Sequence, residues 1–282
     1  MDLHEPLKKE DYQEPRCVLC DPQTGKPQVT NSIPIDRVVQ KLDEYCDRKD
    51  FAGAERHLKY WLDEAQFNHD LRGAFSLRNE MMGYYRKQGQ QEKAIENAQA
   101  ALELMRELGY EDTPSGGTCY VNCGTVYDQF GMPEQALEFF GRAREIFEAA
   151  PHVQPEKLGG LYNNMGLAYM DTGQYGQAHD CYAKALETMS HADHGELESA
   201  ITLLNMADTL SLEKGLIKAQ DEINDYMERA MAFLNTESLP RNGYYAFVAE
   251  RCAPGFYCYG FDEYGAELEE RVKAIREALG AL

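Results

Sequence analysis

The chain has 282 residues, with 48 acidic against 28 basic side chains for a formal charge of −20, and 43% of it is hydrophobic. Such a length and apolar content allow a full buried core, built as one elongated repeat domain or as two compact ones. The acidity argues against a general surface for nucleic acid phosphates or an anionic membrane, and no apolar run approaches the roughly 20 residues of a membrane helix.

Met1 to Pro6 lack the basic start and apolar stretch of a secretory signal, so a cytoplasmic protein is expected, with its eight cysteines reduced. Residues 1–34 carry Pro6, Pro15, Pro22 and Pro27 without helical periodicity and read as an extended or poorly ordered arm. Within it lies Cys17-Val18-Leu19-Cys20. Two thiolates at this spacing grip one side of a zinc ion, but a closed site needs four ligands, and no second pair follows at the usual distance. A zinc site here would need ligands from elsewhere in the fold or from a second chain. The plain alternative is an exposed, reduced pair.

From Pro34 onward the pattern is helical. Ala54, Ala94, Ala136, Ala178 and Ala219 recur at spacings of 40, 42, 42 and 41 residues. Each is expected on the second helix of a pair, where a methyl lets two helices approach. Nine residues earlier stand Tyr45, Tyr85, Tyr127, Tyr169 and Leu210, on the first helix. Asp50, Gly89, Gly131 with Pro133, Gly173 and Gly215 mark the turns between them. The helix pairs are then about 35–66, 70–108, 116–149, 157–190 and 196–235, spaced by a repeat of about 42 residues. The third and fourth echo each other closely: Tyr120, Cys123, Gly124, Tyr127, Ala136 and Phe140 become Tyr162, Met165, Gly166, Tyr169, Ala178 and Tyr182 at one offset of 42.

Residues 236–282 form a degenerate sixth pair. Tyr244, Tyr245, Phe247, Phe256, Tyr257, Tyr259, Phe261 and Tyr264 crowd its first part, and Pro254-Gly255 is expected to interrupt or kink its first helix. Two readings are open for these aromatics: packing on the fifth pair, or a wall at one end of a groove. The last helix, rich in Glu with Arg271, Lys273 and Arg276, reads as a polar end-cap.

These residues resemble the tetratricopeptide repeat: an aromatic, an apolar residue followed by glycine, a tyrosine, then alanine and an aromatic at set spacings. The second unit departs from it with Met82 in place of glycine. The resemblance covers residues 35–235 and implies an all-α fold, a right-handed α-α superhelix of about six helix-turn-helix pairs. The period is longer than the common 34, by about one turn per helix, and resembles the units of kinesin light chains and of bacterial peptide-sensing regulators. Those regulators usually carry a further domain in front, and only about 34 residues precede the first pair here.

In this architecture the first helix of each pair lines the concave face. Asn122, Asn164 and Asn205 stand two residues before the small packing position in three units, with Asn163 beside the second and Asn79 and Glu80 in the second unit. An amide both donates and accepts, so a row of asparagines can clamp a peptide backbone whatever its side chains. The resemblance implies that role; amides bonding neighbouring helices or water are the alternative. Asp43, Asp47, Asp128, Asp171 and Asp208 add acid to this face, against Arg86 and Lys87 alone. That balance disfavours a clamp for a C-terminal carboxylate and favours a neutral or basic peptide.

Among catalytic motifs, no phosphate loop, HExxH or GxSxG sequence occurs. The expectation is therefore a non-enzymatic scaffold that binds an extended segment of protein or peptide, with no required cofactor. A stand-alone peptide-sensing regulator and an assembly factor are the alternatives. Neither nucleic acid nor membrane is expected as a partner.

Overall fold

The computed structural model describes residue 29 and residues 31–280. Among these residues there are twelve α-helices and no strand. The chain divides into two compact units, Met1–Phe130 and Gly131–Leu282.

The first unit holds α1 (Ile35–Asp47), α2 (Phe51–Phe67), α3 (Leu71–Lys87), α4 (Gln91–Leu108) and α5 (Pro114–Gln129). Each helix packs on its sequence neighbour, and α3 also packs on α1 and α5, so the first helices of successive pairs lie side by side. The second unit holds α6 (Pro133–Ala149), α7 (Pro155–Asp171), α8 (Tyr175–Met189), α9 (Glu196–Lys214), α10 (Leu216–Leu234), α11 (Gly243–Cys258) and α12 (Asp262–Ala278). There α9 packs on both α7 and α11 in the same way.

Local chemistry sets the helix ends. Asp50 and Asp70 accept from the backbone N–H of Gly53 and Gly73 at 2.8 and 2.9 Å, and Thr113 accepts from Gly116 at 3.2 Å ahead of Pro114. Each satisfies a donor that the first turn of a helix leaves open. The turns inside the pairs close through a left-handed residue: Gly89, Gly131 and Gly173 have φ of 66°, 73° and 72°. In the first pair, where no glycine stands, Lys49 adopts φ 56°. The repeat geometry thus imposes a conformation that a side chain resists.

The recurring alanines Ala54, Ala94, Ala136, Ala178 and Ala219 are all fully buried, each on a second helix. In the fourth pair Gly166 lets Tyr182 lie against the backbone of α7; a Cβ at Gly166 would come 2.3 Å from Tyr182 Cε1. The second pair inverts this arrangement. Met82 stands where the later pairs have Gly124 and Gly166, and Ala98 stands where they have Phe140 and Tyr182. Met82 and Ala98 are both fully buried on the packed helices α3 and α4. The bulk has moved from one helix to the other, which keeps the interior filled.

The final helices depart from the expected interruption. Helix α11 is continuous through Pro254. Proline forfeits one N–H···O bond within a helix, and here the neighbouring Cys252, Ala253 and Phe256 are buried in the core shared with α9, α10 and α12. Burial of that face holds the helix together across the missing bond.

Candidate functional site

The asparagines form bonded pairs between successive first helices. In the first unit Asn122 Nδ2 on α5 donates to Asn79 Oδ1 on α3 at 3.2 Å, and Asn79 Nδ2 in turn donates to the Phe75 carbonyl at 2.9 Å. In the second unit Asn205 Nδ2 on α9 donates to Asn163 Oδ1 on α7 at 3.0 Å. The amide that meets Asn205 is therefore Asn163, which is buried, and Asn164 beside it is half-buried. Sequence spacing at a constant offset pointed to Asn164. Consecutive helical residues differ by about 100° in direction, so one of the two faces the neighbouring helix and the other does not.

Each pair uses part of its hydrogen-bonding capacity. An asparagine amide offers two donors and an acceptor oxygen. The bonds above engage Asn122 and Asn205 through Nδ2, and both residues are half-buried, in contact with solvent.

Around the first pair the face is acidic. Burial raises the Glu80 carboxyl above its usual range; the Asp43 charge pushes the same way and Lys87 opposes it. Burial likewise raises Asp43, with Lys87 opposing and Asp47 adding to the rise. Lys87 thus stands as the cation among Asp43, Glu80 and the half-buried Cys46 thiol. Arg86 follows Glu80 on the same helix, and Asp128 lies in the last turn of α5.

In the second unit burial raises Asp171 and Asp208. Asp208 accepts from the Tyr259 hydroxyl at 2.6 Å, which ties α9 to the turn after α11 and opposes the rise. The aromatic residues of the last pair divide. Tyr245, Phe256, Tyr259 and Tyr264 are buried, with the Phe256 and Tyr264 rings 4.8 Å apart and nearly perpendicular. Tyr244, Phe247 and Tyr257 are exposed.

Cys17 and Cys20 lie outside the described residues. Among the described residues no group of three His, Cys, Asp or Glu side chains is placed to hold a metal ion. Among them, too, no helix is long and apolar enough to cross a membrane.

Stacked helix pairs with bonded first helices define the class: a helical repeat protein. Residues 74–149 and 160–192 match the tetratricopeptide repeat, so the chain carries repeats of this kind over those residues. No curated protein matches the sequence. Solved structures share the fold. BtubC (BKLC) from P. vanneervenii superposes with a TM-score of 0.63 at 20% identity, over 73% of this chain and 84% of that one. The signal transduction ATPase with a tetratricopeptide repeat sensor from Pyrococcus horikoshii gives 0.58 at 16% identity, over 86% of this chain and 36% of that one. A Rap protein complexed with competence and sporulation factor gives 0.55 at 19% identity, over 87% and 64%.

Proposed function

We propose that the chain is an interaction scaffold that binds an extended protein or peptide segment along the face of its first helices. The observation that carries this reading is the recurrence of a bonded asparagine pair in each unit, Asn79–Asn122 and Asn163–Asn205. The second Nδ2 hydrogen and the oxygen of Asn122 and Asn205 suit the carbonyl and N–H of a bound backbone. Asn164 and Glu80 are the sequence neighbours of the paired Asn163 and Asn79, and Arg86 and Asp128 lie further along α3 and α5. The surrounding carboxylates favour a neutral or basic segment. No catalytic step is assigned to this face, and no cofactor is needed for it.

A degenerate decapeptide library presented to the purified protein tests the reading. Binding at micromolar affinity or better is expected for a subset of sequences. Asn122→Ala, Asn205→Ala or both should weaken it about 3- to 10-fold, the value of one or two backbone hydrogen bonds, with helical content unchanged. Unaltered binding by both variants removes the asparagines from the site.

The stand-alone sensor reading draws on the Rap protein, which was solved in complex with competence and sporulation factor. It differs from the scaffold in requiring that the peptide change the chain's action on another protein.

A further inference from the structure

Two large aromatic side chains on α11 are left uncovered. Tyr244 and Phe247 are 49% and 54% exposed, and their rings stack 6.4 Å apart at 20°. Tyr245 between them is fully buried and its hydroxyl donates to the Leu234 carbonyl at 3.1 Å. The helix here is therefore well anchored, and the exposed rings sit on a firm base. Tyr257, the third exposed aromatic on α11, belongs to another surface, because its hydroxyl donates to Glu269 on α12 at 3.2 Å.

The stacked pair carries an acid. The Tyr244 hydroxyl donates to a carboxylate oxygen of Glu198 on α9. Glu198 precedes Asn205 by seven residues on that helix. Seven residues make nearly two turns, so both lie on one side of α9 about 10 Å apart. Through Glu198 the rings are tied to the side of α9 that carries Asn205, and an extended segment bonded at Asn205 and running along that side would meet them. A segment rising about 3.3 Å per residue reaches from one to the other in about three residues.

An aromatic face attracts positive charge, and a carboxylate bonded to the phenol oxygen strengthens the attraction. We propose that Tyr244, Phe247 and Glu198 receive one arginine or lysine side chain of the bound segment. This inference rests on the peptide-binding reading and names the chemistry of one anchor residue. The chain's net charge of −20 draws such a segment in. Arg251 is exposed, four residues beyond Phe247 and seven beyond Tyr244, so it shares their side of α11. Its charge acts on Tyr244 and opposes an incoming cation, which gives the anchor a second handle of opposite sign.

The test is a positional decapeptide library, in which one position at a time is fixed as arginine, lysine, leucine, phenylalanine or alanine. Against the wild-type protein, arginine or lysine at one position should bind about 3- to 30-fold better than alanine. The preference should vanish in Tyr244→Leu/Phe247→Leu, which keeps apolar bulk without aromatic faces, and grow in Arg251→Ala. Circular dichroism of each variant confirms that it folds. A leucine or phenylalanine preference in place of the basic one overturns the inference, as does a basic preference that survives in the leucine variant. If Asn163→Ala/Asn205→Ala abolishes binding while the ring variants bind as wild type, this anchor alone is refuted. If no peptide binds the wild-type protein, the peptide-binding reading itself fails.

Discussion

Glu80 shows how the acidic face bears on stability as well as on binding. Its carboxyl is raised above the usual 4.5 by burial, with Asp43 adding to the rise. A raised acid holds its proton to higher pH in the folded chain than in the unfolded one. The folded chain therefore loses stability as pH rises from about 4.5 through the folded value, and at neutral pH the ionised group is a cost. Glu80→Gln should be more stable than wild type at pH 7, and this difference should fade as pH falls below about 4.5, where both residues are neutral in both states. Denaturant melts at pH 7 and pH 4 measure it. Glu55 has the opposite sign: hydrogen bonds from Lys59 and Lys93 lower it to about 2. Its contribution is present above about 4.5 and fades as pH falls toward 2. A wild-type-like Glu80→Gln at neutral pH would show that Lys87 already compensates the buried charge.

The residue scale is also where the sequence was least legible. The asparagines stood out by spacing, but which of Asn163 and Asn164 meets Asn205 depends on how α7 and α9 cross. The split between Tyr245 and its neighbours was in principle readable. Tyr245, Val248, Ala249, Cys252 and Phe256 form a helical stripe, all buried, and Tyr244, Phe247 and Arg251 lie off it. Pro254 masked that stripe, because a proline is normally read as a helix end.

At the scale of elements, the alanine and tyrosine spacings located the helix pairs because each unit repeats the same close contact. The turn in the first pair is marked in the sequence by Asp50 and not by glycine, because Lys49 occupies the left-handed position that glycine fills at Gly89, Gly131 and Gly173. Lys49→Gly should therefore stabilise the chain by about 0.5–1 kcal/mol, as relief of backbone strain outweighs the added freedom of the unfolded state. A thermal melt reads the change, and a lower midpoint would refute the argument. The inverted bulk of the second pair makes a sharper test in the fourth. Gly166→Met alone should cost about 1–3 kcal/mol through its clash with Tyr182. In Gly166→Met/Tyr182→Ala, which copies Met82 and Ala98, the two changes should cost less than their sum by roughly 1–3 kcal/mol. Additive costs would mean that the helices of the two pairs pack differently.

At the scale of the whole molecule, the acid excess and the repeat face combine into one expectation about recognition. A segment with basic residues should bind an acidic chain less tightly as salt rises, because exposed charges farther apart than about 10 Å are screened at 0.1 M. Affinity for an arginine-containing decapeptide is expected to fall about tenfold between 50 mM and 500 mM sodium chloride. Salt-independent binding would assign recognition to the amides and apolar contacts alone.

The paired asparagines are the proposed place where a backbone is held, and their side-chain signals report on it directly. In a two-dimensional ¹⁵N–¹H spectrum, addition of the best-binding decapeptide should shift the side-chain NH₂ resonances of at least one bonded pair, Asn122 with Asn79 or Asn205 with Asn163. If the peptide binds and those four resonances stay where they were, the segment lies elsewhere on the chain and the central claim is wrong.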